Sequence, residues 1–286
     1  MGSKYSVLMS VCASDNPAWL DDAVKSMLAQ VLPPEEFVIV EDGPLTSELN
    51  AVIARYEQVR SDIFRIVRIP ENRGLGFALA TGVLECRNEL IARMDSDDFS
   101  DPARCQTILS KMDQCPSLAL VGCNVDEFTG SCQNVVASVR LPTEPDNAYT
   151  FAKRKIPIRH SSIIFRKSAI LDVGNYEDLR RSQDYDLVVR LLVKGYQVAN
   201  VPEVLHYMRV DEDFYRRRGG FDRAKLLARQ RYQFYRYGFY GRFEWMVYAT
   251  AHVVVCLMPN SMRSFFYQHF LRTQPVSQKS ESTYEY

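Results

Sequence analysis

The sequence has no excess of charge of either sign: 35 Lys and Arg balance 35 Asp and Glu, for a formal net charge of +0. That balance argues against whole-chain attraction to nucleic acid. A cysteine framework is missing too. Cys12, Cys86, Cys105, Cys115, Cys123, Cys132 and Cys256 are odd in number and form no CxxC pair. A zinc knuckle or disulfide scaffold is therefore not expected, and a reducing compartment is. No apolar run reaches the roughly 18 residues that span a bilayer. The nearest stretch, residues 245–258, is shorter and contains His252. Val7-Leu8-Met9 is too short for the apolar core of a secretory signal. No internal repeat occurs. What remains is a chain of 286 residues, 47% hydrophobic. That length suits one large domain, or one domain with an appendage.

Short apolar, β-branched runs predict strands at residues 5–11, 37–40, 63–69 and 90–94. Helical patterns lie between them, at residues 17–28, 47–59 and 74–85. Pro17 after Asp15-Asn16 is a helix-start signal. Beyond residue 100 the pattern predicts a helix from Asp101-Pro102 to about 112 and strands at 118–123, 135–139 and 161–165. Further on it predicts a helix from Ser182 to 194, extended runs at 198–201 and 204–208, and a helix over 220–237. Alternating strands and helices imply right-handed βαβ units and a largely parallel sheet.

Ligands of such sheets sit at the carboxyl ends of the strands. The four tips are Cys12-Ala13-Ser14-Asp15-Asn16, Glu41-Asp42-Gly43, Glu71-Asn72-Arg73-Gly74 and Asp95-Ser96-Asp97-Asp98. All are polar and carboxylates recur among them. Asp95, Asp97 and Asp98 repel one another, so a cation is their natural partner. Oxygen ligands favour Mg²⁺ or Mn²⁺, with a diphosphate and water completing the shell. Alone, such a cluster reads more readily as an acidic turn before a helix cap; the neighbouring acidic tips favour the cation.

Several ordered blocks resemble the family 2 glycosyltransferases, particularly those of bacterial capsule and exopolysaccharide pathways. They are Ser6-Val7-Leu8-Met9-Ser10-Val11, Ser26-Met27-Leu28-Ala29-Gln30, Glu36-Phe37-Val38-Ile39-Val40-Glu41-Asp42-Gly43 and Asn72-Arg73-Gly74-Leu75-Gly76. Ala92-Arg93-Met94-Asp95-Ser96-Asp97-Asp98, His160-Ser161-Ser162-Ile163-Ile164-Phe165-Arg166 and Gln183-Asp184-Tyr185-Asp186-Leu187 complete the set. The resemblance spans roughly residues 5–210. It implies a GT-A Rossmann-like α/β fold, a mainly parallel central sheet flanked by helices. It also implies a nucleotide-diphosphate sugar donor, UDP above all, and inversion at the anomeric carbon. Carried over, Ser10, Cys12, Asp42 and Arg73 lie at the nucleotide. Asp97 lies near the ribose and ion, and Asp98 is the direct metal ligand. Asp95 completes the DxD pattern on the nucleotide-sugar side. This chain departs in having Cys12 where an aromatic is common, Pro44 in the second tip, and Gln183 beside the acid.

Inverting transfer needs a carboxylate to take the acceptor's proton. The resemblance assigns that role to Asp184, at a helix start that favours an anion. Asp186 and Arg190 form an i, i+4 pair of structural character. His160 either serves the acceptor or is a satisfied core residue. His206 and Arg209 either approach the diphosphate or metal, or serve the fold.

Residues 209–242 hold ten basic and four acidic residues, with Arg216-Arg217-Arg218 at their densest. Three readings compete: a phosphate clamp, contact with an anionic membrane surface, or a solvated helix face. Residues 243–271 are aromatic and apolar, suiting an element that lies on a membrane or a helix packed on the core. The expected organisation is a catalytic domain at 1–212, a basic and aromatic helical extension at 213–272, and a disordered tail at 273–286. The sequence as a whole predicts a cytoplasmic enzyme, peripheral on the inner face of the membrane. It acts on a glycan or lipid-linked glycan and not on nucleic acid. A sugar nucleotidyltransferase is disfavoured because no glycine-rich loop follows the first strand. An inactive assembly subunit is disfavoured because Asp42, Asp97, Asp98 and Asp184 are all present.

Overall fold

The computed structural model describes residues 3–179, 181–210 and 221–257. Four parallel strands form its first half: β1 (Tyr5–Val11), β2 (Glu36–Asp42), β3 (Phe64–Ile69) and β4 (Leu90–Met94), in the order β3-β2-β1-β4. The helices between them are α1 (Pro17–Leu28), α2 (Ser47–Val59) and α3 (Leu75–Glu85). α1 starts where expected because the Asn16 side chain accepts from the amides of Ala18 and Trp19, and Pro17 has no amide to satisfy.

Val7, Met9, Phe37 and Ile39 join one core with residues of α1 and α2. Leu8, Val38 and Val40 join another with α3. With both faces covered, the strands read as unbroken apolar runs rather than as alternation. Gly82 of α3 lies directly against the Leu8 side chain, leaving no room for a β-carbon.

The second half is mixed. β5 (Phe99–Ser100), α4 (Arg104–Gln114), β6 (Leu118–Phe128), β7 (Val135–Val139) and α5 (Pro145–Ala152) lead to a 3₁₀ turn at His160–Ser162. β8 (Ile164–Arg166), α6 (Lys167–Asp172), α7 (Gln183–Lys194) and β9 (Gln197–Arg209) follow. β8 lies antiparallel between β4 and β6, and β9 lies parallel to β6. The sheet order continues β4-β8-β6-β9-β5, with β7 on β6.

Three predicted elements differ. The strand predicted at 161–165 begins later, because Ser162 turns back to the Arg159 carbonyl through both its amide and its hydroxyl. The extended runs at 198–201 and 204–208 are one strand, β9, whose register against β6 shifts around Pro202. Proline has no amide for the ladder, and the Asn124 side chain bonds its carbonyl at 2.6 Å. The short elements β5, α5 and α6 left no periodic signal.

α8 (Phe221–Arg236) packs on α7, and α9 (Arg242–Leu257) packs on α8. Arg231, 1% exposed, donates to the hydroxyls of Tyr185 (2.8 Å) and Tyr240 (2.6 Å) and to the Arg154 carbonyl. Tyr237 reaches Asp186 at 3.0 Å. The Asp186–Arg190 pair is present at 2.7 Å, in keeping with its structural reading. Replacing Arg231 by Met removes three hydrogen bonds, although the Tyr185 and Tyr240 hydroxyls keep their own bonds to the Ala152 and Lys153 carbonyls. We expect a loss of about 1–3 kcal/mol in urea unfolding; unchanged stability would refute this anchoring role. The arginine run 216–218, residues 258–272 and the tail at 273–286 lie outside the described residues.

Candidate active site

The tips of β1 to β4 meet at one edge of the parallel half. At the second tip, the Asp42 carboxylate accepts from the amides of Arg73 (2.8 Å) and Gly74 (2.9 Å). Gly43 makes the turn at φ +86°, and a β-carbon there would lie 2.7 Å from the Asn72 amide nitrogen. Asp42 thus ties the second tip to the third. The Arg73 side chain turns aside, stacking on Phe77 and pairing with Asp178 at 2.8 Å.

At the first tip, Asp15 accepts from the Cys12 amide (3.0 Å) and from the Ser96 hydroxyl (2.8 Å), joining that tip to the fourth. Burial raises the pKa of the Cys12 thiol, which favours its neutral form. Ser10 lies two residues earlier, in register with Val40 of β2.

One carboxylate oxygen from each of Asp95, Asp97 and Asp98 falls within 4.8 Å of the others. Their surroundings set them apart. Asp95 pairs with the buried guanidinium of Arg93. Asp98 accepts from His206 Nε2 at 2.8 Å and from the Arg209 amide at 3.0 Å. Burial opposes ionisation of Asp98, yet these bonds hold it below the usual carboxylate range. Asp97 has no side-chain donor among the described residues. Burial, then the charges of Asp98, Asp95 and Asp15, push it up to about 8.

This donor set fits a hard divalent cation. All three ligand groups are carboxylates, and Asp98 keeps lone-pair capacity beyond its bonds from His206, Ser161 and the Arg209 amide. The proton that Asp97 holds in a cation's absence marks excess negative charge. A proton and a cation then compete for the site, so affinity for Mn²⁺ should rise as pH approaches 8, with proton release. Calorimetry in buffers of different ionisation enthalpy measures this; pH-independent binding without proton release would contradict it.

Arg209 closes the cluster from β9. Its Nε donates to the Asp97 carbonyl and its Nη1 to the Gly130 carbonyl, and its guanidinium lies 4.7 Å from the rings of both Trp19 and Phe128. On the other side, His160 Nε2 meets the Tyr176 hydroxyl at 2.8 Å. Burial and the charge of Arg93 hold His160 well below its ordinary pKa, hence neutral. Asp184 sits in the first turn of α7. Burial raises its pKa, while the Tyr185 amide and Arg93 pull it down. Arg93 therefore acts electrostatically on the aspartate cluster, the His160–Tyr176 pair and Asp184.

Asp15, Arg93, Arg104 and Tyr176 were not picked out as site residues from sequence. Asp15 sits in a strand-tip loop, which was a usable signal. Arg93 reaches Asp95 from two positions away, but its influence on His160, Tyr176 and Asp184, the Tyr176–His160 bond and the contacts of Arg104 join residues separated in sequence.

A mixed α/β sheet with helices on both faces and an acidic cluster at the tip of its fourth strand is the GT-A architecture of nucleotide-sugar enzymes. The glycosyl transferase family 2 model matches residues 6–171. The chain belongs to that family and is a glycosyltransferase. An uncharacterized glycosyltransferase of Haemophilus influenzae is 34% identical over 94% of this chain and 99% of its own length. The UDP-Gal:alpha-D-GlcNAc-diphosphoundecaprenol beta-1,3-galactosyltransferase of Escherichia coli is 29% identical over 94% and 97%. The amylovoran biosynthesis glycosyltransferase AmsE of Erwinia amylovora is 32% identical over 92% and 98%. Among solved structures, a mannosyltransferase of Pyrobaculum calidifontis, in complex with GDP-Man and Mn²⁺, superposes with a TM-score of 0.64. It is 15% identical, and the match covers 88% of this chain and 70% of that one. That likeness speaks to the fold.

Proposed function

We propose that the chain is an inverting, cation-dependent transferase that moves a sugar from a UDP-sugar to a hydroxyl of a lipid-linked glycan. The observation that carries this is the carboxylate trio, with Asp98 buried, Asp95 and Asp97 half-buried, and Asp97 pushed up to about 8. The UDP and lipid-linked assignments are carried over from the substrates in the name of the Escherichia coli relative.

In this reading Asp98 and Asp97 hold Mn²⁺ or Mg²⁺, and Asp95 completes the donor side. A bound cation supplies Lewis-acid stabilisation of the departing diphosphate. Ser10, Cys12, Asp42 and Arg73 shape the nucleotide pocket, with Asp42 ordering the third tip through its two amide bonds. Arg209 stands beside the diphosphate. Asp184 takes the proton of the attacking hydroxyl. Burial raises its pKa, which makes it a stronger base than an ordinary aspartate. Neutral His160, held by Tyr176, faces the acceptor.

The domain reading is a catalytic unit at 1–212 with the extension from 213 bringing it to a membrane surface. No helix among the described residues is long and apolar enough to cross a membrane. On α9, Phe243, Met246, Val247 and Val254 are exposed along one helical face. Trp245 on another face stacks with Tyr235 of α8. One face packed and one face apolar and open suits contact with the inner leaflet, where a lipid-linked acceptor resides.

Calorimetric titration of UDP with Mn²⁺ and then with EDTA tests the donor site. Transfer from UDP-sugars to a diphospholipid-linked GlcNAc tests the acceptor. Binding that requires the metal supports the proposal; tight, metal-indifferent binding removes the cation from it. Failure to bind UDP, with binding of GDP, dTDP or CMP instead, reassigns the donor.

A further inference from the structure

Arg104 is an unusual residue to bury. It opens α4, yet it is 0% exposed. Its Nη1 donates to the Ser161 carbonyl and meets His206 Nδ1, both at 3.0 Å. Its Nη2 lies 3.4 Å from the Arg93 carbonyl and 3.0 Å from Met27 Sδ. His206 is also 0% exposed, and its other nitrogen, Nε2, lies 2.8 Å from Asp98 Oδ2. Three buried side chains thus run in line from the start of α4, through β9, to the tip of β4.

The donors and acceptors of this line have one consistent assignment. Guanidinium nitrogens donate and cannot accept. Nδ1 of His206 must therefore present its lone pair to Arg104. In neutral imidazole the proton then sits on Nε2, which points at Asp98. A proton on Nδ1 would set two donors against each other 3.0 Å apart with no water between. Asp98 Oδ1 is fixed independently by the Arg209 amide, so both its oxygens are oriented from β9.

We propose that Arg104 and His206 form a buried strut that orients Asp98, with His206 held as the Nε2–H tautomer. His206 in that form donates to the Asp98 carboxylate and does not ligate the cation. Arg104 is a positioning residue, acting on Asp98 through His206. The inference rests on the reading of Asp98 as a cation ligand. It adds a prediction about the imidazole that holds with or without the ion.

The test uses the full chain. Nitrogen-15 spectra of the four histidine side chains, assigned with His206→Gln, report the tautomer in metal-free protein and at saturating Mg²⁺. Nε2 protonated in both states supports the strut. Nδ1 protonated, or Nε2 losing its proton to Mg²⁺, overturns it. Glutamine keeps an amide to donate to Asp98 and an oxygen to accept from Arg104. His206→Gln should therefore bind Mn²⁺ within a few-fold of wild type, and Arg104→Met about 10–100-fold more weakly. Arg104→Lys, which keeps a donor, should recover part of that loss. Wild-type affinity in Arg104→Met, or loss in His206→Gln as large as in Asp98→Ala, overturns the proposal. If Arg104→Met does not fold, the wild-type spectra and His206→Gln still decide. Mn²⁺ binding unchanged in Asp98→Ala would instead sink the cation reading of Asp98, while the metal-free spectrum judges the strut separately.

Discussion

Asp184→Asn is expected to lower sugar transfer by about 10²–10⁴-fold, the range a positioned general base contributes, while UDP binding stays at the wild-type level. Asparagine preserves the shape of the side chain in the first turn of α7 and removes its capacity to take a proton. The substitution should not harm the fold. Burial raises the pKa of Asp184, so holding it ionised in the native state is unfavourable, and a neutral isostere relieves that. The thermal midpoint should stay level or rise. The same shift fixes the sign of the pH dependence. The base must be ionised to act, so kcat/KM should fall as pH drops through a pKa above the usual carboxylate range. Full transfer by Asp184→Asn would remove Asp184 from the mechanism. A loss of UDP binding in step with transfer would give it a structural role.

The second large effect is expected at Asp98. Asp98→Ala removes the oxygens that accept from His206 and from the Arg209 amide, and leaves both donors buried without that partner. Metal-dependent UDP binding should disappear, and transfer should fall by about 10²–10³-fold, as the loss of several kcal/mol of charge stabilisation implies. A companion variant, Asp95→Asn, which keeps an oxygen for the buried Arg93 guanidinium, separates ligand loss from general damage. Asp95 is already paired with Arg93, so its loss should weaken Mn²⁺ binding less than loss of Asp98. The opposite ranking, measured by calorimetry, would move the ion's principal contact to Asp95.

How far the site could be read from the sequence depends on sequence distance. The sequence by itself determined the parallel half, β1 to β4 with their helices, because apolar runs and helix-start signals are local properties. It also placed Asp95, Asp97 and Asp98 at a strand tip and Asp184 at a helix start, since each lies within a few residues of the signal that locates it. It could not join His206 to Asp98, which lies 108 positions away. That contact depends on β9 running beside β6 and pairing with β5 through Ser100 and His206. Nor could it distinguish Arg104 from an ordinary exposed arginine in a first helical turn, since arginine is almost never fully buried unless paired. The three aspartates likewise look alike in sequence. Arg93 stands two positions from Asp95, but only the tertiary structure gives Asp98 a histidine and a backbone amide and crowds Asp97 with buried charge that pushes it up to about 8. Hydrophobic periodicity chooses the strands; the pairing of their ends decides which charges meet.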